Sequence, residues 1–295
     1  MKTILSRIRS RFHQWGVATV ALALAAAQAP AAEYMWNFEN GNLAASFGNG
    51  AMSYADAETG TLTLFGSTGG LVPNINGQVA NYLYVPAFAN LGNGYHLKFN
   101  DSGPNGGGDY INQYTIIFDI YSPGSINWTP FFNTAPDNAN DADFYIADNG
   151  SVGIGTLGYS GAGVIAPNTW YRVGFAADLG AGTISYYVNG ASVYDRVGGS
   201  LLNGRFALYS NLDVEPSFLL FNEGDTSGQY THELFVNSIA FVDRMLSPAE
   251  MLALGGPNSQ GILVPEPSSI ALAAMGLLAL LGFRLRGRFG RGCER

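Results

Sequence analysis

Residues 170–194 are WYRVGFAADLGAGTISYYVNGASVY, and this stretch decides the fold. From Tyr171 to Ala177, apolar side chains alternate with more polar ones, which is the two-residue period of a half-buried β-strand. The segment TISYYV repeats that period over residues 183–188. Asn189-Gly190 follows, a pair that tolerates positive φ in a type I′ hairpin turn. The stretch therefore predicts three consecutive antiparallel strands in the middle of a sandwich.

Short strands are also predicted on both sides of this meander, at spacings of roughly 8 to 12 residues that are typical of all-β folds. Residues 113–123, QYTIIFDIYSP, are the most apolar of them, so we expect them in the middle of a sheet. Other predicted strands include TLTLF at 61–65, RFALY at 205–209 and FVNSIAFVD at 235–243. Ser247, Pro248 and Glu250 form a capping box that predicts one short helix, ending at Gly255.

The few charged residues are segregated along the chain. They make up only 12% of 295 residues, and nine of the 14 basic residues lie before residue 12 or after residue 283. Residues 33–263 contain five basic residues and twenty acids, a net charge of −15. This balance argues against nucleic acid as a partner and suits calcium or a neutral glycan. The only cysteine, Cys293, lies in the tail, so the body forms no internal disulfide.

A polar insert at residues 136–142 lies between two apolar strands. Calcium prefers oxygen ligands, and the candidate ligands here are Asp137, Asn138, Asn140, Asp141 and Asp143. Their spacing does not match an EF-hand loop. Turns rich in Asp and Asn also serve to satisfy their own backbone. Both interpretations, a calcium site and a solvated turn, stay open at this point.

The amino-terminal residues 1–31 have the three parts of a secretory signal peptide. A basic start precedes an apolar segment at 17–27 and small residues at 29–31 that suit cleavage. A first membrane helix is the alternative, but the apolar segment is shorter than the roughly 20 residues that span a bilayer. We therefore predict that the chain is exported.

A series of motifs resembles the laminin-G-like or concanavalin A-like jelly-roll domains of bacterial secreted and surface proteins. In chain order they are WTPFF (128–132), DADFYI (141–146), NTWYRVGFAADL (168–179), YYVNG (186–190), FVNSIAFVD (235–243) and LSPAEMLALGG (246–256). The resemblance covers one domain at residues 32–257, which a linker at 258–263 follows. It implies an all-β, two-sheet antiparallel jelly-roll sandwich that usually binds glycans or proteins, often with calcium at its rim.

The tail has three parts in a fixed order: VPEPSS at 264–269, an apolar segment at 270–283 and an arginine cluster at 284–295. Together, residues 264–295 resemble the PEP-CTERM sorting signal of Gram-negative bacteria, with Val264, Pro265, Glu266 and Pro267 as the sorting motif. The resemblance implies processing by an exosortase and delivery to the cell surface or extracellular matrix. The arginines should stay cytoplasmic, so we expect the apolar segment to form a single hydrophobic helix that anchors a transient inner-membrane intermediate. An ordinary tail anchor is the alternative.

Some relatives of this fold are glucanases, which have Glu-x-Asp-x-x-Glu on one strand to position an acid and a nucleophile. The body contains no such trio: Asp213-Val214-Glu215 has the wrong order, and Glu223-Gly224-Asp225 continues Thr-Ser-Gly. His96 and His232 lie in no catalytic motif. We therefore predict a non-catalytic surface module that binds a carbohydrate such as an exopolysaccharide. The alternatives are a glycan-active hydrolase and a purely structural surface or matrix protein.

Replacing Pro265, Glu266 and Pro267 together by alanine is expected to leave the precursor in the inner membrane. The two prolines keep this segment extended, in a form that a protease can bind. Mass spectrometry of the surface fraction of wild-type cells should find a chain that starts near Ala32 and ends close to Glu266. Intact protein containing Cys293 at the surface would contradict the sorting hypothesis and favour an ordinary anchor.

Overall fold

The computed structural model describes residues 33–224 and 232–262. These residues form fifteen strands and two short helices. The elements are β1 Glu33–Trp36, β2 Gly50–Tyr54, α1 Ala57–Leu62, β3 Leu64–Ser67, β4 Asn81–Val85, β5 Tyr95–Phe99, β6 Gln113–Tyr121, β7 Thr129–Asn133, β8 Phe144–Ile146, β9 Val152–Ile154, β10 Gly158–Tyr159, β11 Trp170–Asp178, β12 Thr183–Val188, β13 Ala191–Val197, β14 Phe218–Leu220, β15 Leu234–Val242 and α2 Pro248–Leu254.

The strands form two antiparallel sheets. Sheet one has the order β13-β12-β11-β6-β15-β4-β3, with β1 also paired to β15. Sheet two has the order β10-β9-β8-β7-β14-β5-β2. The chain crosses repeatedly from one sheet to the other, and the aromatic and aliphatic side chains between them form the main core. This arrangement confirms the predicted all-β jelly-roll sandwich.

The three-stranded meander lies where the sequence predicts it. Strand β11 pairs with β12, and β12 pairs with β13, all antiparallel. Asn189 and Gly190 have φ values of 51° and 81°, as a type I′ turn requires. A Cβ at position 190 would lie 2.7 Å from the Met251 carbonyl oxygen, so close packing against α2 adds a second reason for glycine there.

The prediction that β11 is half-buried is wrong, because both faces of the strand are covered. Val173 and Phe175 point into the main core, as expected. On the outer face, Arg172 is only 2% exposed. A Cβ at Gly174 would lie 2.7 Å from the Met251 Cε, so α2 packs directly on this face. The sequence pattern of β11 does not reveal this burial, because α2, which packs on the outer face, lies far along the chain.

Asp119 and Arg172 form a buried ion pair under that cover. They face each other across β6 and β11, with Nε to Oδ1 and Nη2 to Oδ2 distances of 2.7 Å each. Arg172 Nη1 also donates to the Leu254 carbonyl at the end of α2 (2.6 Å). Burial raises the pKa of Asp119 above its usual value, and the Arg172 guanidinium opposes that rise. Removing either partner would therefore leave the other charge buried without compensation.

Two other predicted strands differ from the structure. Residues 61–62 of TLTLF end α1, which begins after Asp56 because the Asp56 carboxylate accepts from the Thr59 N–H (2.8 Å). Residues 205–209 form no strand but make one isolated bridge, Leu208 to Ile111. The Tyr114 hydroxyl donates to the Phe206 carbonyl, a bond that takes the place of one from a neighbouring strand.

Residues 258–262, which the sequence analysis assigns to a linker, pack on sheet one. The Asn258 N–H points to Asp119 Oδ2 (3.4 Å), and Ile262 is 1% exposed. The predicted signal peptide (1–31), the sorting motif (264–267) and the C-terminal hydrophobic helix lie outside the described residues. Among residues 33–224 and 232–262, no helix is long and apolar enough to cross a membrane.

Arg172→Met is expected to lower the free energy of unfolding by about 3–5 kcal/mol, because it leaves the Asp119 carboxylate buried without its partner. The double variant Arg172→Met/Asp119→Leu should recover much of this loss, since both charges are then removed. Urea denaturation of the three proteins measures the difference. A loss below about 1 kcal/mol for the single variant, the value of a solvent-exposed pair, would contradict this account.

Candidate functional site

A pocket of about 560 Å³ lies where residues 203–209 meet the turn between β7 and β8. Residue Tyr110, from the loop before β6, completes its wall. The residues that line it are Tyr110, Thr134, Ala135, Asn140, Asp141, Asp143, Asn203, Gly204, Arg205, Ala207 and Tyr209. Three segments far apart in sequence thus meet at one end of the sandwich.

Asparagine side chains hold the turn between β7 and β8 in shape. Asn133, at the end of β7, donates from Nδ2 to Asn138 Oδ1 (3.0 Å) and to the Asn140 carbonyl (2.5 Å). Asn138 has a φ of 57°, a left-handed conformation that asparagine tolerates better than most residues. Its Nδ2 donates to the carbonyls of Leu91 (2.7 Å) and Glu223 (3.1 Å). Hydrogen bonds of Asn133 and Asn138 therefore fix the polar insert.

Arg205 and Asp143 form the charged floor of the pocket. The Asp143 side chain is 1% exposed, and its Oδ1 accepts from Arg205 Nε at 2.5 Å. Its Oδ2 accepts from the N–H (2.8 Å) and Oγ1 (2.6 Å) of Thr134. Burial raises the pKa of Asp143, while the Thr134 and Arg205 hydrogen bonds act in the opposite direction. Arg205 also donates from Nη2 to the Asp141 carbonyl (2.9 Å), so its guanidinium is held in one orientation although the side chain is 38% exposed.

Tyr110 and Tyr209 form the aromatic side of the pocket. Their ring centroids are 5.7 Å apart, and the ring planes meet at 79°. Burial raises the pKa of Tyr209, so its phenol is neutral at physiological pH and both donates and accepts hydrogen bonds. Nearby, Asn203 accepts from the Asp109 N–H at 3.0 Å and donates to the Asp109 carboxylate at 3.2 Å. The pocket thus combines aromatic surface with fixed donors and acceptors.

The five predicted calcium ligands differ in exposure and in hydrogen-bond partners. Asp137 is exposed, and its Oδ1 accepts from the Ala139 N–H (3.2 Å) in a local turn. Asp141 is exposed and accepts from the Tyr145 hydroxyl, whereas Asn138 and Asp143 are engaged as described above. Among residues 33–224 and 232–262, no three acidic, histidine or cysteine side chains are placed to hold a metal. Calcium binding stays a prediction, with Asp137, Asn140 and Asp141 as the exposed donors.

Sequence reasoning missed eight of the eleven pocket residues, among them Tyr110, Asn203, Arg205 and Tyr209. The sequence predicts a strand for the segment that contains Arg205 and Tyr209, and it gives neither residue a special role. One signal was present, because Arg205 is among only five basic residues between residues 33 and 263. A basic residue in such an acidic, apolar body is expected to have a specific partner.

Comparison with known proteins confirms the tail motif. Residues 263–288 match the family model of the PEP-CTERM protein-sorting motif. This match indicates an exported, exosortase-processed protein of the surface or extracellular space of Gram-negative bacteria. No curated protein sequence matches the chain significantly.

Solved structures with a similar arrangement of strands share little sequence with this chain. Domain 4 of AbnA, a GH43 extracellular arabinanase from Geobacillus stearothermophilus, is 14% identical with a TM-score of 0.46, covering 77% of this chain and 99% of that one. The botulinum neurotoxin type G receptor-binding domain is 13% identical with a TM-score of 0.44 (75% and 49% covered). Trypanosoma rangeli sialidase is 17% identical with a TM-score of 0.37 (54% and 27% covered). At these scores the similarities support no conclusion about function.

Adding calcium is expected to raise the melting temperature of the purified body, because a ligand that binds only the folded state stabilises it by mass action. Asp141→Ala should remove the gain, since it deletes one of the three exposed donors. The control is Asp148→Ala, an exposed acid outside the insert. A melting curve that calcium leaves unchanged would show that the insert is only a turn.

Proposed function

We propose that the body of this exported protein binds carbohydrate in the pocket around Arg205. The observation that supports this most strongly is the combination in one pocket of two tyrosine rings, a fixed guanidinium and exposed carboxylate and amide groups. The tail motif directs the protein to the surface, and the pocket supplies a surface function. In this proposal the protein is a binding module without catalytic activity.

The tyrosine pair provides the surface that a sugar ring needs. A pyranose or furanose ring has weakly polar C–H faces and a rim of hydroxyl groups. Tyr110 and Tyr209 offer an apolar body with a polar tip, so they contact such a ring without leaving buried polar groups unpaired. Because the two ring planes are almost perpendicular, they form a corner and not a flat wall.

The polar groups of the pocket match the hydroxyl rim. Arg205 only donates, ionised Asp141 only accepts, and Asn203 and Asn140 do both. Their positions are fixed before any ligand arrives, because Arg205 is tied to Asp143 and the turn is held by Asn133. A preorganised pocket loses less conformational entropy on binding, which raises affinity for a given set of contacts.

The charge of the body indicates which glycans fit. With a net charge of −15 over residues 33–263, the surface repels polyanions such as polyuronates. The positive charge of Arg205 in the pocket is already neutralised by Asp143. A neutral glycan therefore fits this site better than an acidic one.

Tyr209→Ala is expected to weaken binding to a captured glycan at least tenfold, which is about 1.4 kcal/mol. Immobilised polysaccharides probed with the purified body identify the glycan, and titration calorimetry measures the affinity. Tyr54→Ala is the matched control, because Tyr54 is an exposed tyrosine on β2, at the opposite edge of sheet two from β10. Equal affinities of Tyr209→Ala and wild type would exclude this pocket as the site.

Two other outcomes would support the alternatives to binding. Failure of the wild-type body to bind any polysaccharide would favour a purely structural surface protein. Release of new reducing ends from a bound glycan would favour a glycan-active hydrolase.

A further inference from the structure

An aromatic cluster lies on the outer face of sheet two, outside the pocket. Trp128 makes edge contacts with Tyr145 and Tyr159, at centroid distances of 6.1 and 6.0 Å and interplanar angles of 82° and 78°. Tyr145 faces outward because its neighbours Phe144 and Ile146 point into the core. Trp128 and Tyr159 are half-buried, and Tyr145 is buried beneath them.

Asp141 joins this cluster to the pocket. Its side chain lines the pocket, and it also accepts a hydrogen bond from the Tyr145 hydroxyl. Burial raises the pKa of Tyr159, and the nearby Asp141 charge adds to the rise. On the other side, Arg205 Nη1 lies 3.4 Å from Thr156 Oγ1, three residues before Tyr159. The Asp141 and Arg205 side chains thus lie between two separate groups of aromatic rings.

The turn that presents Tyr159 is held in place from behind. The Leu157 N–H donates to the Ile154 carbonyl at 3.1 Å, and the Leu157 carbonyl accepts from the Tyr194 hydroxyl. Tyr194 itself stacks on Tyr186 of the core, with ring centroids 4.9 Å apart. The position of Tyr159 is therefore fixed by the sandwich, which is what a binding surface for a rigid ligand needs.

We propose that Trp128 and Tyr159 form a second sugar subsite, and that the ligand is an extended neutral glycan that crosses Asp141 from the Tyr110–Tyr209 pocket to this cluster. The inference rests on the proposed function of the pocket. Two aromatic groups separated by hydrogen-bonding side chains suit several consecutive sugar rings better than one terminal sugar. The exposed carboxylate of Asp141 lines the pocket and contacts Tyr145 of the cluster, so a sugar acid beside it would be repelled.

Titration with oligosaccharides of increasing length tests the inference. The probes are isomalto-, cello- and arabino-oligosaccharides of one to six residues, with oligogalacturonates of the same lengths as the acidic series. For at least one neutral series, the affinity of the wild-type body is expected to rise at least tenfold between two and five residues. The acidic series should bind at least tenfold more weakly at every length.

Two variants assign the length dependence to the cluster. Trp128→Ala and Tyr159→Ala should each remove the rise at five residues while the affinity for the shortest ligand that binds stays within twofold of wild type. Tyr209→Ala should lower the affinity at all lengths, and Tyr54→Ala should change nothing. Melting curves of all four variants show which are folded. One folded cluster variant, Trp128→Ala or Tyr159→Ala, is sufficient for the test.

The outcomes separate this inference from the proposed function. A wild-type body that binds none of the neutral series at any length would overturn both. Binding whose affinity stops rising at two residues, or a rise that persists in a folded cluster variant, would overturn only the second subsite. Binding of oligogalacturonates as tight as that of the neutral series would overturn the assignment of a neutral ligand.

Discussion

Asp119 and Arg172 meet on the outer face of sheet one, where two strands of the predicted core place a carboxylate directly opposite a guanidinium. Neither group is exposed to solvent, so each balances the charge of the other. Each also makes further hydrogen bonds. Ser238 of β15 donates to Asp119 (3.2 Å), and Arg172 donates to the carbonyl of Leu254. The pair thereby connects β6, β11 and β15 to α2. The outer faces of β6 and β11 can be buried at this point because the two charges there are matched.

The other basic residues of the body are also engaged by groups within the fold. Each of the five basic residues of the body has a specific partner in the structure. Lys98 donates to three carbonyls of one loop, Arg172 and Arg205 pair with buried aspartates, Arg196 donates to a carbonyl, and Arg244 pairs with a glutamate of α2. The positive side chains thus bind partners within the fold, and the surface of the body is strongly acidic. That surface is the physical reason to expect a neutral ligand.

Local patterns predicted the parts of the fold that depend on neighbouring residues. The β11–β13 meander, its Asn189-Gly190 turn and the Ser247 capping box follow from periodicity, turn chemistry and hydrogen bonding within a few residues. The prediction failed where distant segments decide the outcome. The outer face of β11 is buried because α2 packs on it, and residues 205–209 make only one isolated bridge, to Ile111.

The candidate site was predictable only in part, for the same reason. The polar insert drew attention to Asp141 and Asp143 because their chemistry is visible in the sequence, and both line the pocket. No local sequence pattern marks Tyr110 and Tyr209 as site residues. They become neighbours only because the fold places the loop before β6 next to residues 203–209. Periodicity describes one strand at a time, and it does not show which loops meet at the end of two sheets.

We propose that a glycan occupies the pocket around Arg205, and a crystal structure of the body with a bound oligosaccharide tests this proposal. We predict density for a sugar ring against Tyr110 and Tyr209, with hydroxyl groups within hydrogen-bond distance of Arg205 and Asp141. Density for the oligosaccharide elsewhere on the body, with this pocket filled only by water, would contradict the account.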